Sequence, residues 1–372
     1  MLIFIVLPAT NNPYRMPDIQ RLLTWYHQNR RDLPWRQTSD PYKIWLSEVI
    51  LQQTRVAQGL QYYHAFVSQY PTVLALAAAN IDDVLKLWQG LGYYTRARNL
   101  HAAAQIIVQK HGGTFPDNYH DLLQLPGIGP YTAAAIASIA FGERQPAIDG
   151  NVLRVVSRWF AVHEPIDSPA GIKIVRELVQ QLMPAGDPGT FNEAMMEFGA
   201  CHCIPVNPDC GQCIFVRHCA AHQQKIVKKL PVKKPKVKIR HRTFYYVVVL
   251  HKNQNEPSVL LTKRAAGDIW QGLYTFPVIE TQTEIPPEQL FSHPEWRSIL
   301  PTNNFVVTHT SSLYTHQLTH QRLHARFVVI QANGDFRAER YTKFSSVRLD
   351  QLHQFAVPRL IDRFLTDYFK VS

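Results

Sequence analysis

The chain has few cysteines and no long apolar run, and each absence excludes a class of protein. Only five of its 372 residues are cysteine, and four of these lie in one short segment, which excludes a disulfide framework spread along the chain. No apolar run approaches the ~20 residues that a membrane-spanning helix needs. Clustered thiols are typical of a reducing compartment. We therefore expect a soluble, cytoplasmic protein that has no membrane partner.

Acidic residues are absent from residues 225–242, which contain seven lysines and two arginines. Because the formal net charge of the whole chain is +11, the rest of the sequence is nearly neutral. Two interpretations of this basic segment stay open. It is either a solvated linker, kept extended by self-repulsion and by its prolines, or a surface that contacts phosphate groups.

The apolar pattern changes at the basic segment, which indicates two domains. Between residues 17 and 221 the apolar residues recur at helical spacing, as at Ile19, Leu22 and Tyr26, whereas alternating runs typical of strands follow residue 242. We predict an all-α domain over 17–224, a linker over 225–242 and an α+β domain over 243–372. The predicted strands are 243–250, 258–262, 273–279, 304–308 and 326–330, and a closing helix is predicted over 358–369.

The clustered cysteines are Cys203, Cys210, Cys213 and Cys219, with the spacing C-x6-C-x2-C-x5-C. Four thiolates placed this close together can surround a single metal centre. The spacing alone allows a tetrahedral zinc ion as readily as an iron–sulfur cluster. The remaining Cys201 lies outside this pattern, and we interpret it as a small apolar residue.

The sequence Leu-Pro-Gly-Ile-Gly-Pro at 125–130 lies between two predicted helices, 117–125 and 131–141. Gly127 and Gly129 permit a turn that exposes backbone N–H groups at a helix N-terminus, an arrangement that suits a phosphate oxygen. The pattern is therefore typical of a helix-hairpin-helix that contacts DNA. An ordinary tight turn has the same composition, so the motif needs support from its context.

Two carboxylates are candidates for catalysis. Asp149 precedes a helix predicted to begin at about residue 151, so it can be a simple N-cap, or it can stabilise an oxocarbenium-like charge on a sugar. Glu48 lies in an apolar helical segment, where a carboxyl group has a raised pKa and can act as a general acid. The ordinary alternative for Glu48 is a solvated surface residue.

Taken together and in order, the motifs of residues 17–221 resemble those of adenine DNA glycosylases of the MutY type. Some of them are shared with the wider endonuclease III superfamily, but their combination with Leu-Gln-Gln-Thr at 51–54 is more specific. Beyond residue 221 the resemblance is loose. The motifs are Asp-Leu-Pro-Trp-Arg at 32–36, Trp-Leu-Ser-Glu at 45–48, Leu-Gln-Gln-Thr, Gly-Leu-Gly-Tyr-Tyr at 90–94, the hairpin, Ile-Asp-Gly-Asn-Val at 148–152, Phe-Asn-Glu at 191–193 and the four cysteines.

The resemblance implies a monomeric enzyme of base excision repair that removes adenine mispaired with 8-oxoguanine or guanine in double-stranded DNA. It implies that Glu48 protonates the adenine, that Asp149 stabilises the transition state with Asn151 beside it, and that the four cysteines hold a [4Fe–4S] cluster. Further residues are implied to contact the opened duplex or the extruded adenine. These are Trp35, Arg36, Gln53, Leu91, Tyr93 and Glu193, in addition to Gly127 and Gly129 of the hairpin.

Tyr131 bears on strand cleavage. Bifunctional relatives have a lysine at the matching position, and a tyrosine cannot form a Schiff base with the sugar. We therefore expect a monofunctional enzyme. The rival interpretations are an endonuclease III-like enzyme for oxidised pyrimidines, a DNA-binding protein without activity, and nucleotide hydrolysis by the second half.

The second half resembles the Nudix-like domain that these glycosylases use to recognise 8-oxoguanine. Nudix hydrolysis needs a clustered set of glutamates, but Glu284, Glu288 and Glu295 are dispersed, so we do not expect it here. The lesion-reading motif of the family corresponds to Leu-Thr-His at 318–320, which predicts that Thr319 and His320 recognise the lesion. His320 can also be an ordinary surface residue.

Overall fold

The computed structural model describes residues 16–235, 239–253, 256–300, 304–332 and 343–370. These residues form two compact units, which we call the helical unit and the sheet unit. The helical unit contains the described residues of 1–63, 67–77 and 102–235, and the sheet unit contains 64–66, 78–101 and those of 236–372. The domain boundaries expected at 224 and 243 stay a prediction. No helix in the described part of the chain is long and apolar enough to cross a membrane.

Most helices before residue 224 begin at a polar residue whose side chain accepts a hydrogen bond from the first turn, which satisfies an otherwise free backbone donor. The caps with this bond are Asp18, Asp40, Asn80, Asn118, Asp149, Ser168 and Asp187. The helices are α1 (Ile19–Asn29), α2 (Pro41–Leu51), α3 (Val56–Gln69), α4 (Val73–Ala78), α5 (Ile81–Leu87), α6 (Thr95–His111), α7 (Tyr119–Leu122), α8 (Pro130–Phe141), α9 (Gly150–Trp159), α10 (Pro169–Leu182), α11 (Pro188–Cys201) and α12 (Ala220–Gln223).

The second helix of the predicted hairpin is confirmed as α8, whereas the first is shorter than predicted because only 119–122 is helical. Helix α8 is rich in alanine and is buried along most of its length. Small side chains let its neighbours approach closely. A Cβ atom added at Gly189 of α11, for example, would lie 2.9 Å from the carbonyl oxygen of Ser138 in α8.

The sheet unit is built on a mixed eight-stranded sheet with the order β3-β2-β1-β7-β5, in which β4 pairs with β1, β6 with β7 and β8 with β2. Strands β1 and β7 are parallel and form its centre. The strands are β1 (Arg240–Asn253), β2 (Glu256–Lys263), β3 (Tyr274–Thr275), β4 (Val278–Thr281), β5 (Phe305–Thr310), β6 (Tyr314–Gln317), β7 (Gln321–Ala332) and β8 (Ser345–Arg348).

Both faces of this sheet are covered, which explains the continuous apolar run of β1. Alternate residues of β1 join different cores: Phe244 packs with Phe364 on one face, and Tyr245 packs with Trp296 on the other. The covering helices are α13 (Pro287–Leu290) and α14 (Trp296–Ile299) on one face and α15 (Arg359–Phe364) on the other. The predicted α+β class is confirmed.

Several sequence-based details of the sheet unit are wrong. The strand predicted over 273–279 is two short strands, β3 and β4, and the strands β6 and β8 were not predicted. The closing helix predicted over 358–369 is α15 followed by a π-helical turn at Leu365–Phe369. The missed strands are only two to four residues long.

The basic segment is not solvated throughout its described residues. Leu230 is 3% exposed and joins the core of the helical unit, and the carbonyl of Val232 accepts a hydrogen bond from the backbone N–H of Ile166. The lysines of 225–235 remain exposed. Arg242 lies in β1 and forms ion pairs with Asp268 and Glu280. The segment therefore packs through its apolar residues, while its lysines face solvent.

This packing predicts that Leu230→Ala destabilises the protein by about 2–4 kcal/mol, since it removes a buried side chain and leaves a cavity. The matched control is Val206→Ala, because Val206 is 73% exposed and its truncation should change the free energy of unfolding by less than about 0.5 kcal/mol. Urea denaturation of the full chain measures both. Equal stability of Leu230→Ala and wild type would mean that the segment is not part of the core.

Candidate active site

A cleft of about 850 Å³ opens in the helical unit and gathers most of the residues that the sequence singles out. Its walls are formed by α2, α8, α9, α11 and the 3-10 turn Pro34–Arg36. The sequence-predicted residues in its lining are Trp35, Arg36, Glu48, Gln53, Tyr131, Asp149, Asn151 and Glu193. These residues come from distant parts of the chain, and a common location in one cleft is consistent with a common task.

Glu48 is half-buried in the lining of the cleft, on a helix whose other residues are mostly buried. Burial raises the pKa of its carboxyl group to about 7, with the charges of Asp149 and Glu193 raising it further, against the opposing effects of a hydrogen bond to Tyr131 and of the Arg36 charge. A carboxyl group with this pKa is half-protonated near neutral pH and can act as an acid. The interpretation of Glu48 as a solvated surface residue is wrong.

Asp149 is the N-cap of α9, so the ordinary interpretation of this residue is confirmed. Its Oδ1 accepts from the backbone N–H groups of Asn151 and Val152, both at 2.8 Å, and its Oδ2 accepts from the side-chain Nδ2 of Asn151 at 2.6 Å. Burial raises the pKa of Asp149, and these hydrogen bonds oppose the increase. Because Asp149 also lines the cleft, the cap holds a carboxylate rigidly at the site.

The segment that leads into Asp149 is fixed by Asn192 of α11. Its Oδ1 accepts from the backbone N–H of Ala147 at 3.0 Å, and its Nδ2 donates to the carbonyl of Gln145 at 2.8 Å. Helices α9 and α11 also approach closely at Gly199, where an added Cβ atom would lie 2.6 Å from the Cβ of Asn151. The absence of a side chain at Gly199 therefore sets the position of Asn151.

Arg154 connects the N-terminus of α9 to the cysteine segment. Its guanidinium donates to Oδ1 of Asn151 at 2.8 Å and to the carbonyl oxygens of Gly199 at 2.7 Å and Cys203 at 2.9 Å. The residue is 8% exposed. A buried guanidinium needs several hydrogen-bond acceptors. The bonds of Arg154 therefore hold α9 and the cysteine segment in place against each other.

Tyr131 lies at the start of α8 and lines the cleft. Its hydroxyl donates to the Sδ atom of Met196 at 3.1 Å and shares a hydrogen bond with Glu48. Burial, together with the charges of Glu48 and Asp149, raises the pKa of Tyr131 well above its usual value, so the side chain is neutral. The cations in the described lining of the cleft are arginines, and no lysine is among them.

Sequence reasoning missed three residues at the cleft: Tyr26, Arg31 and Glu197. Tyr26 looked like a core position of α1, and its hydroxyl donates to Oε2 of Glu193 at 2.7 Å. Glu197 is bonded to Arg31 and Arg36. A signal for Glu197 existed, because it lies one helical turn after Glu193 and hence on the same face of α11. No comparable signal marks Tyr26.

The four predicted ligand cysteines line one small cavity, together with Arg158, Trp159 and Val227. Burial raises the pKa of Cys213 to about 12 and that of Cys219 to about 11, and the neighbouring thiols contribute to both increases. Arg158 donates to the Sγ atom of Cys203 at 3.4 Å. Four thiols that line one small cavity are suited to a shared cationic centre.

Among the described residues, no group of three or more His, Cys, Asp or Glu side chains is placed to hold a metal ion. Four thiolates can hold either one tetrahedral ion or an iron–sulfur cluster. Cys201 is exposed, so the expectation that it packs as an apolar residue is wrong.

The remaining sequence-predicted residues lie outside the cleft. Gly127 of the hairpin has φ +75°, which explains the need for glycine in this turn. In the sheet unit, the hydroxyl groups of Tyr93 and Thr319 are 2.7 Å apart, so two residues predicted to lie near the lesion are in contact. His320 is exposed beside them. Leu91 is 8% exposed, and its predicted contact with DNA remains untested.

Gln53 and Tyr93 share an unusual backbone conformation, with φ +56° and +49°. A non-glycine residue in the left-handed region is strained by about 1 kcal/mol or more. Both side chains are exposed, so their own packing does not explain the strain. Such strain is common where a side chain must be presented to a ligand.

Comparison with known proteins gives consistent results for both halves of the chain. Residues 46–181 match the HhH-GPD superfamily of base excision DNA repair proteins, and residues 245–367 match the NUDIX domain. The adenine DNA glycosylase of Buchnera aphidicola subsp. Acyrthosiphon pisum is 36% identical over 266 residues, which cover 71% of this chain and 75% of that protein.

Two further relatives match mainly the first half. The adenine DNA glycosylase of Homo sapiens is 44% identical over 212 residues, which cover 55% of this chain and 39% of the human protein. Among solved structures, that of a thermostable thymine-DNA glycosylase superposes with a TM-score of 0.52 and 31% identity, covering 55% of this chain and 95% of that one.

The close approach of α9 and α11 predicts that Gly199→Ala destabilises the protein by about 1–3 kcal/mol, since the added methyl group displaces Asn151. The matched control is Gly186→Ala, where an added Cβ atom meets nothing within 4 Å. Thermal denaturation compares the two variants with wild type. A Gly199→Ala protein as stable as Gly186→Ala would contradict the role assigned to this contact.

Proposed function

The chain belongs to the adenine DNA glycosylases, and we propose that it hydrolyses the N-glycosidic bond of an adenine that lies opposite 8-oxoguanine or guanine in double-stranded DNA. The observation that carries this proposal is the pairing of Glu48 and Asp149 in one cleft. Glu48 has a pKa of about 7, whereas three hydrogen bonds favour the ionised form of Asp149. Two carboxyl groups with separate protonation states match the acid and the anion that glycosidic cleavage needs.

The proposed reaction begins with extrusion of the adenine, because its glycosidic bond cannot be reached inside the duplex. Glu48 gives its proton to a ring nitrogen of the adenine, and the bonding electron pair leaves with the base. Asp149 stabilises the positive charge that develops on the sugar. Water then adds to C1′ and returns a proton to Glu48. The cleft-lining side chains of Trp35, Arg36 and Glu193 are the proposed contacts of the extruded base.

We propose that the enzyme is monofunctional. A lyase needs an amine that condenses with the opened sugar, but Tyr131 lines the cleft as a neutral phenol. The product should therefore be an intact strand with an abasic site. The alternative of an endonuclease III-like enzyme for oxidised pyrimidines is not favoured, because the relatives that cover most of the chain are adenine DNA glycosylases.

We further propose that Cys203, Cys210, Cys213 and Cys219 hold a [4Fe–4S] cluster. Their shared cavity supports a common metal centre, and the resemblance to the family implies a cluster rather than a single ion. When bound, the cluster would offset part of the charge of the four thiolates and would cross-link the segment that follows α11. The proposed role of the cluster is structural, because the cysteine cavity and the cleft share no lining residue. Residues on or next to α9 and α11 contribute to both.

The proposed lesion reader is the turn between β6 and β7, which carries Thr319 and His320. Its contact with Tyr93 supports this assignment, because the resemblance to the family independently implies that Tyr93 lies near the lesion. The hairpin at Gly127 and Gly129 and the strained Gln53 are proposed to contact the phosphates and the opened duplex.

Glu48→Gln and Asp149→Asn should each lower the single-turnover rate of adenine release by at least about a hundredfold, since they remove the proton donor and the stabilising charge. Asparagine is also a good N-cap, so Asp149→Asn should keep α9 intact. The assay is a gel that resolves cleavage of an A·8-oxoguanine duplex after alkali.

Three controls accompany this assay. Without alkali the wild-type product should remain uncut, and both variants should bind the duplex with near wild-type affinity. In the wild type, the rate should fall as pH rises through about 7, because Glu48 then loses its proton. Wild-type rates in either variant would contradict the assignment of the two carboxylates.

Substitution of any of the four ligand cysteines by serine should abolish the broad absorbance near ~400 nm and the bound iron, since a cluster needs all four thiolates. Cys201→Ser is the matched control, and it should keep both signals. Iron quantification of the purified proteins gives the answer. Retention of iron by Cys203→Ser together with its loss in Cys201→Ser would show that the ligand set is misassigned.

Thr319→Val and His320→Ala should reduce the preference for 8-oxoguanine over guanine by about tenfold, the effect of one or two hydrogen bonds. Thr315→Val is the matched control, because Thr315 is an exposed threonine on β6. Excision rates on A·8-oxoguanine and A·G duplexes are compared for each variant. Point variants suit this test better than truncation, because residues 78–101 belong to the same unit as residues 236–372. Unchanged discrimination would place lesion recognition elsewhere.

A further inference from the structure

Glu197 is a buried carboxylate that forms ion pairs with two arginines of the cleft wall. Its side chain is 0% exposed. Its Oε1 accepts from the backbone N–H and the Nε of Arg31, both at 2.9 Å, and its Oε2 accepts from Nη2 of Arg31 at 2.6 Å and from Nη2 of Arg36 at 2.7 Å. These bonds hold the pKa of Glu197 well below its usual range.

Tyr26 completes the arrangement from α1. The residue is 0% exposed, its hydroxyl donates to Oε2 of Glu193, and the guanidinium carbon of Arg36 lies 5.6 Å from the centroid of its ring. Tyr26 thus contacts both Glu193 and Arg36. Glu197 holds Arg36 from one side, and Tyr26 adds a second contact to the same residue.

The contacts of Glu197 and Tyr26 are costly to form, which indicates that a fixed position of Arg36 is important for the site. A buried carboxylate loses several kcal/mol of hydration and recovers it only through well-placed partners, and a long arginine side chain loses about 2 kcal/mol of rotamer entropy when it is fixed. An apolar pair would fill the same space at less cost. The arrangement fixes one guanidinium, of which the side chain is 10% exposed, in the wall beside Glu48.

We propose that Glu197 and Tyr26 are positioning residues of the active site, which hold Arg36 and Glu193 against the extruded base, and that Glu197 balances the charge of Arg36 beside Glu48. The proposal rests on the function proposed above and adds residues that do not touch the substrate. It concerns only the helical unit.

The charge balance around Glu48 makes the proposal testable. In the wild type the charges of Asp149 and Glu193 favour the protonated form of Glu48, and the charge of Arg36 opposes it. Without Glu197, the full charge of Arg36 would act on Glu48 and lower its pKa. Charged or titratable groups face this region from several elements. They are Tyr26 of α1, Arg30, Arg31 and Arg36 of the segment that follows it, Arg55 before α3, Tyr131 of α8, Asp149 and Arg154 at α9, and Asp187, Glu193, Glu197 and Cys201 at α11.

The experiment is the pH profile of single-turnover adenine release for Glu197→Gln, Tyr26→Phe and wild type. In this profile, the alkaline limb is the pH range in which the rate falls with rising pH. For Glu197→Gln the alkaline limb should move to lower pH by about half a unit or more, which lowers the rate at alkaline pH by at least about threefold. Tyr26→Phe removes only a hydroxyl group and should slow release by about tenfold at every pH. Glu177→Gln, at an exposed glutamate of α10, is the matched control and should behave as wild type.

The outcomes separate this inference from the proposed function. If the wild type releases no adenine, the proposed function fails. If the wild type is active and the folded Glu197→Gln protein has an unmoved alkaline limb, the positioning role fails, whatever its overall rate. If Glu197→Gln does not fold, as judged by circular dichroism, Tyr26→Phe decides, and a wild-type rate in that variant overturns the proposal.

Discussion

Helix α9 has a carboxylate at its N-terminus and two buried arginines along its length, and the helical unit is arranged so that all three are satisfied. The N-terminus of a helix stabilises a negative charge, so Asp149 is favoured in ionised form even though it lies in a partly buried cleft. Arg154 and Arg158 find their acceptors in the cysteine segment. One helix thus connects the carboxylate of Asp149 in the cleft to the proposed metal centre.

The cleft itself combines four carboxyl groups with few cations. Four ionised carboxylates this close together would repel one another. In this cleft the carboxyl groups differ in the hydrogen-bond and ion-pair partners that surround them. Glu197 has two arginines, which hold its pKa below the usual range, whereas burial raises the pKa of Glu48 to about 7 and also raises those of Asp149 and Glu193. Hydrogen bonds from the N-terminus of α9 and from Asn151 oppose the increase at Asp149.

Much of the site was predictable from local sequence because its signals are local. The spacing of the cysteines, the aspartate before a helix and the glutamate in an apolar segment each lie within a few residues. The contacts of Glu197 were not predictable, because its partners Arg31 and Arg36 are more than 160 positions away. In the basic segment the abundance of lysine concealed the apolar positions, of which Leu230 is the most buried. The strand β6 was missed because a sequence such as Tyr-Thr-His-Gln gains strand structure only from its pairing with β7.

The cap at Asp149 has a stereochemical consequence. Each carboxylate oxygen offers about two lone-pair directions, and Oδ1 uses both for the backbone N–H groups of Asn151 and Val152. Oδ2 uses one for the Asn151 side chain and retains one. In the proposed reaction, the deoxyribose would therefore meet only one oxygen of this carboxylate, from one direction, and the face of the sugar ring turned to it would be shielded when the base departs.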